Sequence, residues 1–265
     1  MVRVLVLSDK KVSFGETKDK LPLIERVIIH IHGGGFIAMS PDSHQTYSRK
    51  WAKETDAIIF SIDYQLAPAH PFPDPLEDIW QAYFWVMTQS PKYLNVNPKK
   101  VVVVGDSAGG NFTAALTLKC VREKFRIPDG ILMGYPALNL NINSFSPSLL
   151  IALEDSILRY SFLLICISSY IGKGDTLNPF VSPAYATDKD LMDFPITRIM
   201  IAGRDPLRDE ALKFAERMAV LNKDVRYTLY KHSPHGFWTF GMNHVLDSAT
   251  DTITKAIEVL NFLLK

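Results

Sequence analysis

Four valines in a row, Val101 to Val104, followed at once by Gly-Asp-Ser-Ala-Gly-Gly, constrain this chain more than any other stretch. A β-branched run without polar alternation predicts a strand buried on both faces, as in a parallel sheet covered by helices on either side. That strand must stop abruptly, because glycine, aspartate and serine follow the last valine. The segment 108–122 after it has helical spacing of apolar residues, so the serine falls in a strand-to-helix turn.

The same alternation runs along the chain. Short apolar runs at 26–31, 57–62, 131–135, 198–203 and 225–230 read as further strands, and MVRVLVLSDKK at the N-terminus reads as a strand rather than a signal peptide. Segments 43–55, 75–88, 207–221 and 248–264 read as helices between or after them. Strands alternating with helices predict an α/β fold: a mostly parallel central sheet with helices on both faces. One interval, roughly 139–193, offers no convincing strand but an apolar helical stretch at 154–171. It is expected to sit over one end of the sheet as a partial cap, within a single domain spanning 1–265.

Composition excludes some partners. The 265 residues carry 29 basic and 28 acidic side chains, a balance that gives no reason for nucleic acid or an acidic membrane surface. The apolar run 157–171 contains Arg159 and several serines and falls short of the roughly 20 residues of a transmembrane helix. Cys120 and Cys166 lack metal-type spacing and read as buried free thiols in a reducing, cytoplasmic setting.

In an open parallel sheet, ligands bind where strands end at their carboxyl edge. After 26–31 come His32, Gly33, Gly34, Gly35 and Phe36; after 101–104, Gly105, Asp106, Ser107, Ala108 and Gly109; after 198–203, Arg204, Asp205 and Pro206; after 225–230, a loop with His232 and His235. GDSAG fits the G-x-S-x-G turn that exposes a nucleophilic hydroxyl above a sheet. Ser107 is therefore the expected nucleophile, His235 the base and Asp205 the acid that orients it. His232 is the reserve base and Asp209 the competing acid. The triple glycine predicts backbone N–H groups brought close to a ligand, with Gly34, Gly35 and Ala108 as donors to an oxyanion. His30 and His32 have no third candidate ligand nearby, so no metal is expected, and His32 is expected to brace the glycine loop.

In HGGGF (32–36), DYQLAPAHPFPDPLED (63–78), GDSAGGN (105–111), DPLRDE (205–210) and HGF (235–237), taken in order, the chain resembles the hormone-sensitive lipase family of α/β hydrolases. SHQTYSRKWA, SPSLLIALEDSIL and SPHGF are most similar to its eukaryotic members. The resemblance implies a serine hydrolase of small-molecule or lipid carboxylic esters that needs no metal or organic cofactor, and it implies the same triad and donors. It also implies a structural role for 64–78. Only 31 residues precede His32, so the N-terminal part of the cap (1–25) is short, a sign of a reduced cap, a cap supplied by another chain, or a truncated sequence. Ala69 and Ala211 stand where the family usually has glutamate and glycine. An amidase or N-deacetylase on the same fold, and a non-catalytic receptor of the same family, are the competing readings. Substrate choice and oligomeric state are left open by the sequence.

Overall fold

The valine strand has the length and position to be the centre of the sheet, and it is. A computed structural model describes residues 1–242 and 247–265. Its seven strands are β1 (Arg3–Leu7), β2 (Ile24–Ile31), β3 (Ile58–Asp63), β4 (Val96–Asp106), β5 (Gly130–Gly134), β6 (Ile196–Arg204) and β7 (Val225–Pro234), in the order β1-β3-β2-β4-β5-β6-β7. All neighbours run parallel except β1, which pairs antiparallel with β3. The helices are α1 (Gln45–Thr55), α2 (Asp74–Thr88), α3 (Ser90–Tyr93), α4 (Ala108–Arg122), α5 (Pro147–Ile151), α6 (Tyr160–Ile171), α7 (Asp188–Met192), α8 (Arg208–Val220) and α9 (Asp247–Leu263).

The four valines divide between two cores because side chains alternate across a strand. Val101 and Val103 join Ile79 and Tyr83 of α2, Phe112 and Leu116 of α4, and Phe214 of α8. Val102 and Val104 point the other way, toward Tyr47 and Trp51 of α1, Trp238, and Leu260 of α9. Neither face of β4 meets water, which is why the run needs no polar residue.

Boundaries differ from the sequence reading: β7 runs on to Pro234, so His232 lies in the strand and not in a loop, and two further differences have a clear cause. Strand β4 begins at Val96, five residues before Val101, since Val96 and Lys100 pair with Ile24 and Arg26 across a bulge despite the Asn-Pro-Lys between them. The stretch 154–171 is not one helix. The Asp155 carboxylate accepts the N–H groups of Ile157 and Leu158 at 2.8 and 2.7 Å. That local turn replaces the helical ladder, so the helix starts only at Tyr160.

Between β5 and β6 lie α5, α6 and α7. Helix α5 is fastened to the start of α8: the Ser148 N–H donates to Asp209 at 2.8 Å, and the Asp209 N–H donates back to Ser148 Oγ at 3.2 Å. Among the described residues, no helix is long and apolar enough to cross a membrane.

Candidate active site

The turn after β4 can be made only with glycine. A Cβ on Gly105 would run into the Gly109 carbonyl, and one on Gly109 into the Ile31 carbonyl of the adjacent strand. Stripped of side chains at those positions, β4 passes into α4 within one residue. Ser107 takes up the reversal, with φ 54° and ψ −118°, a conformation unfavourable for a residue with a Cβ. Its N–H donates to Gly134 at 2.9 Å, and its carbonyl accepts from Asn111 and Ala137, so the strained backbone is held from both sides.

His235 and Asp205 arrive from the ends of β7 and β6. Ser107 Oγ lies 2.9 Å from His235 Nε2, and His235 Nδ1 lies 2.8 Å from Asp205 Oδ2. Asp205 also accepts the Leu207 N–H on Oδ1 at 2.8 Å, which fixes the plane of its carboxylate. Both partners are buried, at 7% exposure for His235 and 3% for Asp205. Burial opposes charge on the His235 ring. The Asp205 carboxylate, through its charge and hydrogen bond, outweighs that, with Asp106 and Asp155 adding, and the pKa rises above the ordinary 6.5. A hydroxyl donating to an imidazole that itself donates to a buried carboxylate is chemically able to act as an activated nucleophile.

The reserve candidates fall elsewhere. His232 is exposed on β7. Asp209 is spent on Ser148 and on Arg208, whose Nε donates to it at 2.8 Å. His30 is buried between Ser61 Oγ (2.6 Å) and the Tyr47 hydroxyl (3.2 Å), inside the sheet rather than at an opening.

His32 through Phe36 leave β2 beside this turn. The Gly33 N–H donates to Asp106 Oδ1 at 3.1 Å, tying the loop to the residue preceding Ser107. Gly34 and Gly35 have φ of 115° and 61°, which an L side chain disfavours. Phe36 anchors the far end, stacked at 4.1 Å on Tyr170 of α6. The N–H groups of Gly34, Gly35 and Ala108 donate to no acceptor among the described residues. The His32 ring turns back, its Nδ1–H donating to the Gly33 carbonyl at 2.7 Å, and it stacks on Tyr64 at 4.2 Å. Tyr64 in turn donates to the His32 carbonyl at 2.8 Å, and the Ala67 N–H donates to the Phe36 carbonyl. Residues 64–78 thus hold the glycine loop from outside.

Two cavities lie on the Asp205 side of this group, neither of them lined by Ser107 or His235. A cavity of about 420 Å³ is lined by Asp205, Gly203, Arg208, Ser148 and Asp155, and a small one of about 30 Å³ lies between Leu163, Leu164 and Ile167 of α6 and Leu207. The sequence reading missed the polar residues beneath the site: His44, Tyr47, Asp106 and Tyr135. Their only signal was an aspartate at the end of a fully buried strand.

With this geometry established, comparison with known proteins is decisive. Residues 28–239 match the family model described as the alpha/beta hydrolase fold. The chain belongs to that family. Its relatives lie among the hormone-sensitive lipases and esterases. Mouse hormone-sensitive lipase is 42% identical over 151 residues, 57% of this chain but only 20% of the lipase, so the chain spans about a fifth of that relative's length. Esterase LipI of Mycobacterium tuberculosis is 31% identical over 90% of this chain and 73% of its own. Among solved structures, the hyperthermophilic esterase of Pyrobaculum calidifontis superposes with a TM-score of 0.86 at 26% identity, over 99% of this chain and 86% of that one.

Proposed function

We propose that this α/β hydrolase is a serine carboxylic ester hydrolase, an esterase or lipase, with Ser107 as nucleophile, His235 as base and Asp205 as acid. The observation that carries the reading is the unbroken hydrogen-bonded series from Ser107 Oγ through His235 to Asp205. In the first step Ser107 Oγ attacks the ester carbonyl while His235 Nε2 takes its proton. Asp205 keeps the other ring proton on Nδ1 and stabilises the imidazolium. The carbonyl oxygen, now negative, is received by the free N–H groups of Gly34, Gly35 and Ala108. The tetrahedral intermediate collapses as His235 protonates the leaving alcohol, leaving an acyl-Ser107. Water, deprotonated by His235, repeats the attack and releases the acid. No step calls for a metal or organic cofactor.

The substrate class in this reading is a small-molecule or lipid ester, whose acyl chain meets the Leu163 and Leu164 face of α6. Residues 139–193 act as the cap of a single catalytic domain, and the setting is cytoplasmic. The hydrogen-bonded His235 speaks against a purely receptor role. The test is hydrolysis of para-nitrophenyl acetate, butyrate, octanoate and palmitate, beside matched amides and a Ser107→Ala control. Ester turnover abolished in the control supports the reading. Turnover that survives Ser107→Ala, or that favours the amides, overturns it.

A further inference from the structure

Beneath Ser107 lies a buried polar group that ester hydrolysis as described leaves unused. The Asp106 carboxylate receives the Gly33 N–H at 3.1 Å and the Tyr47 hydroxyl at 2.9 Å on Oδ1, and the Tyr135 hydroxyl at 3.2 Å on Oδ2. His44 completes the ring. Its Nε2 is 3.5 Å from Asp106 Oδ1 and also faces the Gly33 N–H at 3.3 Å, and its Nδ1 is 3.0 Å from both the Ser40 carbonyl oxygen and Ser43 Oγ. The Ser43 hydroxyl donates to the Ser40 carbonyl at 2.7 Å, which leaves both oxygens as acceptors toward the ring, so Nδ1 carries a proton. A neutral ring would then aim the lone pair of Nε2 at a buried carboxylate oxygen, with a single Gly33 N–H to share between them. A second proton, on Nε2, turns that repulsion into a charge-assisted hydrogen bond.

We propose that His44 is a positioning residue, kept as an imidazolium by Asp106, and that this buried pair fixes the Gly33 end of the glycine loop beside Ser107. Its consequence for turnover rests on the ester-hydrolase reading; its protonation does not.

The surrounding groups favour a charge on His44 alone. From β2 and the residue that follows it, the rings of His30 and His32 lie 5.8 and 5.4 Å away. His30 donates from Nε2 to Tyr47, which itself donates to Asp106, and its Nδ1 lies 2.6 Å from Ser61 Oγ. Burial lowers its pKa to about 3, so the ring is neutral and Nδ1 accepts from the Ser61 hydroxyl. Burial likewise lowers His32 to about 4. From α1 comes Tyr47, from the end of β5 Tyr135, and from β4 Asp106 itself. Among the described residues, Asp106 pairs with no lysine or arginine. Burial opposes charge on His44 too. The Asp106 charge and hydrogen bond, with the Ser40 carbonyl, outweigh it and raise the pKa above 6.5.

The pair also reaches the base. Tyr135 donates to Asp106, and its ring packs edge-on against His235 at 5.0 Å. Loop, nucleophile turn and base therefore share one buried carboxylate.

The experiment is ¹⁵N NMR of the histidine rings of the intact chain across pH, with His44 assigned by the signals that vanish in His44→Gln. Both His44 nitrogens are expected to be protonated at neutral pH and to lose one proton only on the alkaline side. An unprotonated Nε2 at neutral pH overturns the proposal. Kinetics on para-nitrophenyl butyrate supply the second measurement. His44→Ala should lower kcat roughly 10- to 100-fold, short of losing an oxyanion donor outright, with KM within about twofold. His44→Gln, which still offers an N–H to Asp106, should recover part of kcat but lose the wild-type fall in rate at alkaline pH. A folded His44→Ala variant with wild-type kcat and an unchanged alkaline limb sinks the idea. If His44→Ala does not fold, the ring spectra and His44→Gln decide. If the wild-type chain hydrolyses no ester, the ester-hydrolase reading falls while the ring spectra still decide the pair.

Discussion

Replacing Asp205 by asparagine tests the triad where the structure makes the outcome most specific. The carboxylate accepts two donors, the His235 Nδ1–H on one oxygen and the Leu207 N–H on the other, each at 2.8 Å. An asparagine has a single acceptor oxygen. The Leu207 N–H is a backbone donor with no alternative role, so the amide oxygen must turn to it and the NH₂ group must face His235. Nδ1 then has to accept, and the ring proton moves to Nε2, the atom 2.9 Å from Ser107 Oγ. A base already holding a proton there cannot take one. In a serine protease with this arrangement, the wrong tautomer lowers turnover about 10⁴-fold, which corresponds to about 5.4 kcal/mol in the barrier. The fold should persist, because the new side chain has the same shape and both neighbours keep a hydrogen bond. We expect kcat on para-nitrophenyl butyrate to drop by about four orders of magnitude, with a melting temperature within about 3 °C of wild type. A folded variant that keeps more than about a tenth of wild-type kcat would refute the tautomer argument.

On the acid side, kcat/KM should fall as His235 takes up a proton. Because the ring's pKa is raised, the midpoint should lie above 6.5 and move down in Asp205→Asn; a wild-type midpoint below about 6 contradicts this. Gly109→Ala sets a methyl 2.7 Å from the His32 carbonyl oxygen and into that of Ile31. Thermal melts should show a loss of at least ~3 kcal/mol, and a change under about 2 °C would mean that the turn can shift. Trp238→Ala empties a fully buried site that touches Trp51 and Tyr135 at 5.1 and 5.6 Å. It should remove ~3–5 kcal/mol and slow ester turnover as well, through Tyr135 and His235; full stability in a melt would contradict the packing.

The sheet was legible wherever burial on both faces forces an uninterrupted apolar run, as at Val101–Val104 and in residues 26–31. The strand-end residues were legible because a tight turn at Ser107 demands glycine on both sides whatever the rest of the protein does. The first residues of β4 were not, since their pairing depends on backbone hydrogen bonds to β2 and not on side-chain polarity. The break before Tyr160 was hidden for a related reason: an aspartate capturing two N–H groups looks, in sequence, like any helical acidic residue. His44, Tyr47 and Tyr135 carry no local pattern, because what unites them is a carboxylate brought to them by folding, 62 and 59 residues along the chain from His44 and Tyr47 and 29 residues back from Tyr135.

Strand β7 lies at the margin of the sheet, paired among the described residues only with β6, and most of its side chains face solvent. Little apolar burial therefore opposes a slide of this strand along its neighbour. One residue of slippage would carry His235 about 3.3 Å, enough to part it from both Asp205 and Ser107. The two hydrogen bonds made by His235 bridge separations of 30 and 128 residues, and they add a side-chain latch to the alignment that the backbone ladder from Thr197–Val225 to Ala202–Tyr230 sets. In the proposed mechanism catalytic competence and edge integrity are thus one condition: a chain whose last strand has not seated would leave Ser107 without its base.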